Sequence, residues 1–170
     1  MAGLVRRPAP PVAARPGFMA GDQFQTAYVT NDLDRACETL RQAYGIETFS
    51  FLEGEMAGGG FIRVAFAWVG GTMYEIIDAK GPDDAFYTAR LPKDEFALRF
   101  HHLGFLIHSQ EAWDGLRAEI AADGRPIAFE SRNPGFLDAM YIEAPELGHY
   151  LEYLFPEEGG VAFFEAVPAN

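Results

Sequence analysis

Cysteine is nearly absent from the chain. The single Cys37 excludes an internal disulfide and any cysteine-based zinc site, and such sparing use fits a reducing compartment, so a cytoplasmic location is expected. Cations are scarce too: 13 Lys and Arg stand against 25 Asp and Glu, a formal net charge of −12. A surface of that sign repels nucleic acid and anionic membranes, which leaves a small-molecule substrate as the expected partner. No run approaches the about 20 apolar residues of a membrane span. A phosphate loop is missing as well, because "GGG" at Gly58 to Gly60 lacks both the G-x-x-x-x-G-K-S/T and the G-x-G-x-x-G context and reads as a hairpin turn. The opening "MAGLVRRPAPPVAARPG" has no apolar core of a secretory signal. It is poor in large apolar groups, so residues 1–22 read as a flexible N-terminal arm.

What is present is a core. Hydrophobic residues make up 49% of the chain and aromatics 14%, enough for one domain of this length. Phe24 to Thr30 reads as a strand, followed by a helix with Asn31 or Asp32 as its cap, a stripe of Leu33, Ala36, Cys37, Leu40 and Tyr44, and Gly45 as its stop. "HHLGFLIHSQEAWDGLRAEIAADGRPI" repeats the plan, with a strand from His102 to His108, Ser109 as cap, Trp113, Leu116 and Ile120 as stripe, and Gly124 as stop. Strands and turns follow each helix, giving βαβββ twice. The fold class expected is α+β, two βαβββ modules (23–80 and 100–155) forming a cupped, partly open eight-stranded mixed barrel. Residues 81–99 read as a linker or lid, and 156–170 as a C-terminal tail packing on the domain or on a partner.

Four polar residues share the repeat. Gln25 and His102, Glu75 and Glu152, and the caps Asp32 and Ser109 are each separated by 77 residues. Glu75 in "TMYEIIDA" and Glu152 in "GHYLEYLF" are carboxylates within apolar strands, and burying an unpaired carboxylate costs several kcal/mol. A divalent cation between them would satisfy both, with the His102 imidazole and the Gln25 amide oxygen as further ligands. Each residue alone has an ordinary reading: Gln25 an exposed strand position, either glutamate a solvent face, His102 a satisfied core histidine. His101 is expected to face the other way, because strand side chains alternate. One common offset for all four favours the shared site.

The segments "VTNDLDRA", "MYEII", "HHLGFLI" and "ELGHYLEYL" carry a resemblance, spanning Phe24 to Phe155, to the vicinal oxygen chelate superfamily. It includes glyoxalase I, methylmalonyl-CoA epimerase, extradiol ring-cleaving dioxygenases and the fosfomycin and bleomycin resistance proteins. The resemblance implies paired modules cupped around a metal, with ligands on the first and last strand of each module, which are by position Gln25, Glu75, His102 and Glu152. This set is similar to that of some glyoxalase I enzymes, whereas the epimerases carry His first and Gln second. A homodimer is implied by resemblance only.

Ring-cleaving dioxygenase sites use two histidines and one glutamate around iron; Gln25 stands where one histidine would be, and Glu75 fills another position. An oxygen-rich set suits one divalent metal ion (Zn, Ni, Co, Mn or Mg) acting as a Lewis acid. The expected activity is therefore that of a metal-dependent isomerase, epimerase or lyase of the glyoxalase type. Glu152 is the first candidate for the base that takes the proton next to the polarised carbonyl, and Glu75 the second. Phe49, Phe51, Phe66, Trp68 and Tyr150 are candidate substrate contacts, and Arg63 a candidate for holding an anionic group; Phe86 and Tyr87 are further aromatics for such a pocket. The alternatives are a non-catalytic binding protein of the bleomycin-resistance type and a ring-cleaving dioxygenase.

Overall fold

The computed structural model describes residues 17–19, 21–56, 58–82 and 84–170; most of the expected N-terminal arm lies outside them. The first module runs β1 (Asp22–Thr30), α1 (Leu33–Tyr44), β2 (Ser50–Glu55), β3 (Phe61–Val69) and β4 (Thr72–Lys80). A short helix, α2 (Ala85–Thr88), occupies the connection. The second module runs β5 (Leu98–Leu106), α3 (Gln110–Asp123), β6 (Ile127–Asn133), β7 (Leu137–Ala144) and β8 (His149–Pro156), and α4 (Glu158–Ala166) follows.

One eight-stranded sheet contains all strands, in the order β2-β3-β4-β1-β5-β8-β7-β6. Read outward from its middle, each half has the same plan: β1 pairs parallel with β4, and β5 parallel with β8, while β1 and β5 meet antiparallel at the centre. The sheet curves into an open half-barrel, the cupped architecture expected from the duplicated pattern.

Period-two alternation sorts side chains between its faces. Val64, Phe66, Met73, Ile77, Ala139, Tyr141 and Leu154 build one cluster inside the cup. Their neighbours Ala65, Ala67 and Ile76 pack outward under α1, and Met140, Ile142, Leu151 and Tyr153 under α3. Both helices start and stop alike. Asp32 accepts a hydrogen bond from the Arg35 N–H and Ser109 from the Ala112 N–H, and each helix ends on a left-handed glycine, Gly45 at φ 71° and Gly124 at φ 70°.

Three expectations need correction. Tyr44 is 72% exposed, because the α1 stripe runs off the sheet after Leu40. β5 begins at Leu98 and stops at Leu106, so His108 lies beyond the strand, paired with Asp22 at the surface. His101 does not face away from His102. Opposite Ala27 and Tyr28 of β1, β5 runs His102, His101, Phe100, one residue more than its partner. His101 is thus the extra residue of a β-bulge, which breaks the alternation and leaves both imidazole rings side by side. β1 has its own bulge, where Phe24 is the extra residue. Phe24 and His101 again lie 77 residues apart, so the irregularity is duplicated with the module.

Asp32→Ala removes the cap oxygen of α1 without touching the cup, and we expect a loss of about 1 kcal/mol, seen as a fall of about 2–4 °C in thermal denaturation.

Candidate metal centre

The four residues at the 77-residue offsets meet at the middle of the sheet. Ala27 of β1 is the register partner of both Glu75 on β4 and His102 on β5, and Gly104 of β5 is the partner of both Gln25 and Glu152. All four ligand candidates are buried. His102 Nε2 lies 3.1 Å from Glu75 Oε2 and 3.0 Å from Glu152 Oε2. One ligand atom from each of these three lies within 4.8 Å of those of the other two.

These distances suit an ion pair with a protonated His102, yet no hydrogen bond joins the imidazole to either carboxylate. Gln25 Oε1, Glu75 Oε2, His102 Nε2 and Glu152 Oε2 are all buried without a hydrogen-bond partner. Orphaned polar atoms are rare in protein interiors, and four converging on one spot are the arrangement that a cation relieves. Gly104 makes room for it. A Cβ at that position would stand 2.4 Å from Gln25 Oε1 and 3.2 Å from Glu152 Oε2. One imidazole, one amide oxygen and two carboxylates suit a divalent ion of the hard or borderline class.

Neighbouring groups orient the set. His101 Nε2 is 3.1 Å from the Phe86 carbonyl of α2, and its Nδ1 is 2.9 Å from His102 Nδ1. The carbonyl can only accept, so His101 carries its proton on Nε2. Burial and then the adjacent His102 push His101 down to about 3, so it is neutral and its Nδ1 accepts. His102 must therefore donate from Nδ1, which fixes the tautomer in which a neutral His102 presents the Nε2 lone pair to the two glutamates. Among the protein groups alone, burial opposes charge on His102, but Glu152 and then Glu75 outweigh it and push its pKa up to about 9. Burial raises the Glu75 carboxyl, with His102 acting against it. The Tyr141 hydroxyl donates to Glu152 Oε1. Burial and then the Glu152 carboxylate raise Tyr141 well above its usual range, so it keeps its proton.

A cavity of about 140 Å³ opens beside these groups, and Gln25, Glu75 and Glu152 all line it. Its apolar wall includes Phe66, Leu154, Phe136, Phe163 and Phe164. Of the candidate substrate contacts, only Phe66 lies there. Phe49 packs on the outer, α1 side of the sheet and Phe51 is 47% exposed. Arg63 pairs with Glu53 at 2.8 Å and Asp34 at 3.1 Å, outside the cup. Trp68 uses its indole N–H to hold the Phe164 carbonyl at 3.1 Å. Tyr150 stacks with Phe86 and His101, behind the ligand set, and Tyr87 also packs on Phe86 and His101 there. The sequence reading missed Tyr141, although its cross-strand register with Glu152 is a hairpin relation that the turn at 145–148 encodes. It also left Phe163 and Phe164 out of the site, although the tail that carries them was expected to pack on the domain or on a partner.

No family model matches the chain, and no curated protein matches it in sequence. Among solved structures it is similar to methylmalonyl-CoA epimerase from Mycobacterium tuberculosis, with a TM-score of 0.58 at 14% identity, over 89% of this chain and 97% of that one. A Streptomyces coelicolor methylmalonyl-CoA epimerase variant in complex with 2-nitronate-propionyl-CoA gives 0.58 at 18%, over 79% and 94%. A hypothetical protein from Bacillus halodurans C-125 gives 0.56 at 13%, over 81% and 96%. At such identities the likeness speaks for architecture. Mirrored βαβββ halves around a central antiparallel pair, together with these neighbours, give the chain the vicinal oxygen chelate fold.

Proposed function

We propose that the chain is a metal-dependent isomerase, epimerase or lyase of the glyoxalase type, acting on a small organic substrate. The observation that carries this reading is the convergence of Gln25 Oε1, Glu75 Oε2, His102 Nε2 and Glu152 Oε2, each buried and unpartnered. A sequestering protein of the bleomycin-resistance type has no use for such a costly cluster. An amide at the Gln25 position argues against ring-cleaving oxygen chemistry, which wants a second imidazole. Gln25, Glu75, His102 and Glu152 would hold the metal, with zinc, nickel, cobalt, manganese and magnesium all compatible with the donors. When bound, the ion would act as a Lewis acid on a substrate carbonyl or hydroxyl oxygen.

Proton transfer falls to the glutamates. Tyr141 holds Glu152 through Oε1, so Oε2 is the oxygen left to serve the metal or, once loosened from it, to accept the proton from the carbon next to the carbonyl. The same hydrogen bond holds the carboxyl in one orientation. Glu75, which also lines the cavity, stands second for the base. His102 keeps its tautomer through His101 and the Phe86 carbonyl. The apolar wall excludes water from the deprotonated carbon. A homodimer and a cytoplasmic location belong to the same proposal and rest on resemblance and composition.

Protein purified without chelator and supplemented with cobalt or zinc should hold about one equivalent per chain by elemental analysis; less than about a tenth refutes the reading. Glu152→Gln should lower turnover by at least about a thousandfold at unchanged melting temperature, and full activity would refute its role as base. Gly104→Ala drives a methyl into Gln25 Oε1, and we expect metal affinity, read by competition with a chromogenic chelator, to fall by about tenfold or more.

A further inference from the structure

The C-terminal segment roofs the cup. Phe163 and Phe164 of α4 line the cavity beside Gln25, Glu75 and Glu152. This roof is tied down along its whole length. At its start, the Glu157 N–H donates to the Phe136 carbonyl at 2.8 Å and the Gly159 N–H to the Gly135 carbonyl at 3.1 Å. A Cβ on Gly159 or Gly160 would stand 2.4 Å from one of those carbonyls, so the close approach needs glycine. In the middle, Trp68 holds the Phe164 carbonyl. At its end, the Trp68 N–H donates to the Pro168 carbonyl, and Asn170 Oδ1 accepts from the N–H groups of Glu47 and Thr48. The wall that α4 contributes to the cavity is therefore held in place by backbone hydrogen bonds.

Charge narrows the occupant further. Among the described residues, the cavity lining contains Gln25, Glu75, Asn133 and Glu152 as its polar members and neither Lys nor Arg. Arg63 pairs with Glu53 and Asp34, Lys80 with Asp78, and Arg132 with Asp138, while Arg90 lies over the Tyr150 ring and donates to the Gly148 carbonyl. Two carboxylates already balance one divalent cation. An anionic substrate would meet a neutral centre, an uncharged wall and a protein of net charge −12. Phe66, Phe136 and Phe163 stand edge to face around one side of the space. About 140 Å³ is close to the roughly 150 Å³ of an apolar cavity that takes one benzene ring.

We infer that the substrate is a small uncharged hydroxy-carbonyl compound with one aromatic-sized apolar group, and that Phe163 sets its size limit. This inference rests on the metal-centre reading and narrows it.

The test uses full-length protein loaded with Co(II), read by its visible absorption. 2-Hydroxyacetophenone should perturb the spectrum with an affinity about tenfold or more above that of mandelate, which has a similar size and an anionic head. Propionyl-CoA should leave the spectrum unchanged, and a naphthyl hydroxyketone should bind only after Phe163→Ala. Equal or tighter binding of mandelate or propionyl-CoA overturns the inference, as does binding of the naphthyl compound to the unaltered protein. Failure to take up cobalt overturns the metal reading instead. The same compounds, read by thermal shift on unloaded protein, then decide the cavity: neutral over anionic supports the inference, and the reverse overturns it.

Discussion

Two carboxylates and an imidazole nitrogen, 3.0 and 3.1 Å apart in the middle of a sheet, are the constraint around which the rest of the molecule is arranged. Such a cluster is unfavourable by itself, because desolvation penalises each charge and like charges repel. It persists only if the scaffold over-determines the positions of the three groups and something else occupies the space between them. The scaffold meets the first condition by drawing every ligand candidate from the four central strands, which have neighbours on both sides. The donor atoms meet the second by pointing at one another across the room that Gly104 leaves.

Support extends outward in shells of decreasing polarity. Tyr141 holds one glutamate and His101 holds the imidazole, and His101 is in turn held by a backbone carbonyl of α2. The connection between the modules thus takes part in setting the tautomer of a residue in the centre of the sheet. Around these lies a nearly unbroken aromatic layer, in which Phe86 touches Tyr87, His101, Phe129, Tyr141 and Tyr150. Rigid rings confine the polar groups they surround, and they keep the local dielectric low enough for charge to matter.

Much of this was legible in the sequence because duplication leaves arithmetic behind. The 77-residue offset tied Gln25 to His102, Glu75 to Glu152 and one helix cap to the other, and the architecture follows from two units that each need the other's cover. What escaped had no such regularity. His101 was assigned to the opposite face since alternation holds in an ideal strand, and a bulge cannot be read from one strand without its partner. Arg63 is a candidate for holding an anionic group on sequence alone, but its glutamate and aspartate come from β2 and α1, a tertiary relation. The tail at 156–170 was expected to pack on the domain or on a partner, but it lies outside the repeat, so nothing tied it to the cavity.

The paired bulges carry a further meaning. Each half inserts its surplus residue immediately before its own inner-strand ligand, Phe24 before Gln25 and His101 before His102. The backbone has therefore kept one shape while the two side chains parted company. One became an aryl group wedged between Trp68 and Phe164, and the other an imidazole that steers its neighbour. The scaffold consequently has a counterpart to the His101 seat, beside Gln25 and filled by Phe24, where a different chemistry can be installed by exchanging a single ring with no new turn or altered pairing.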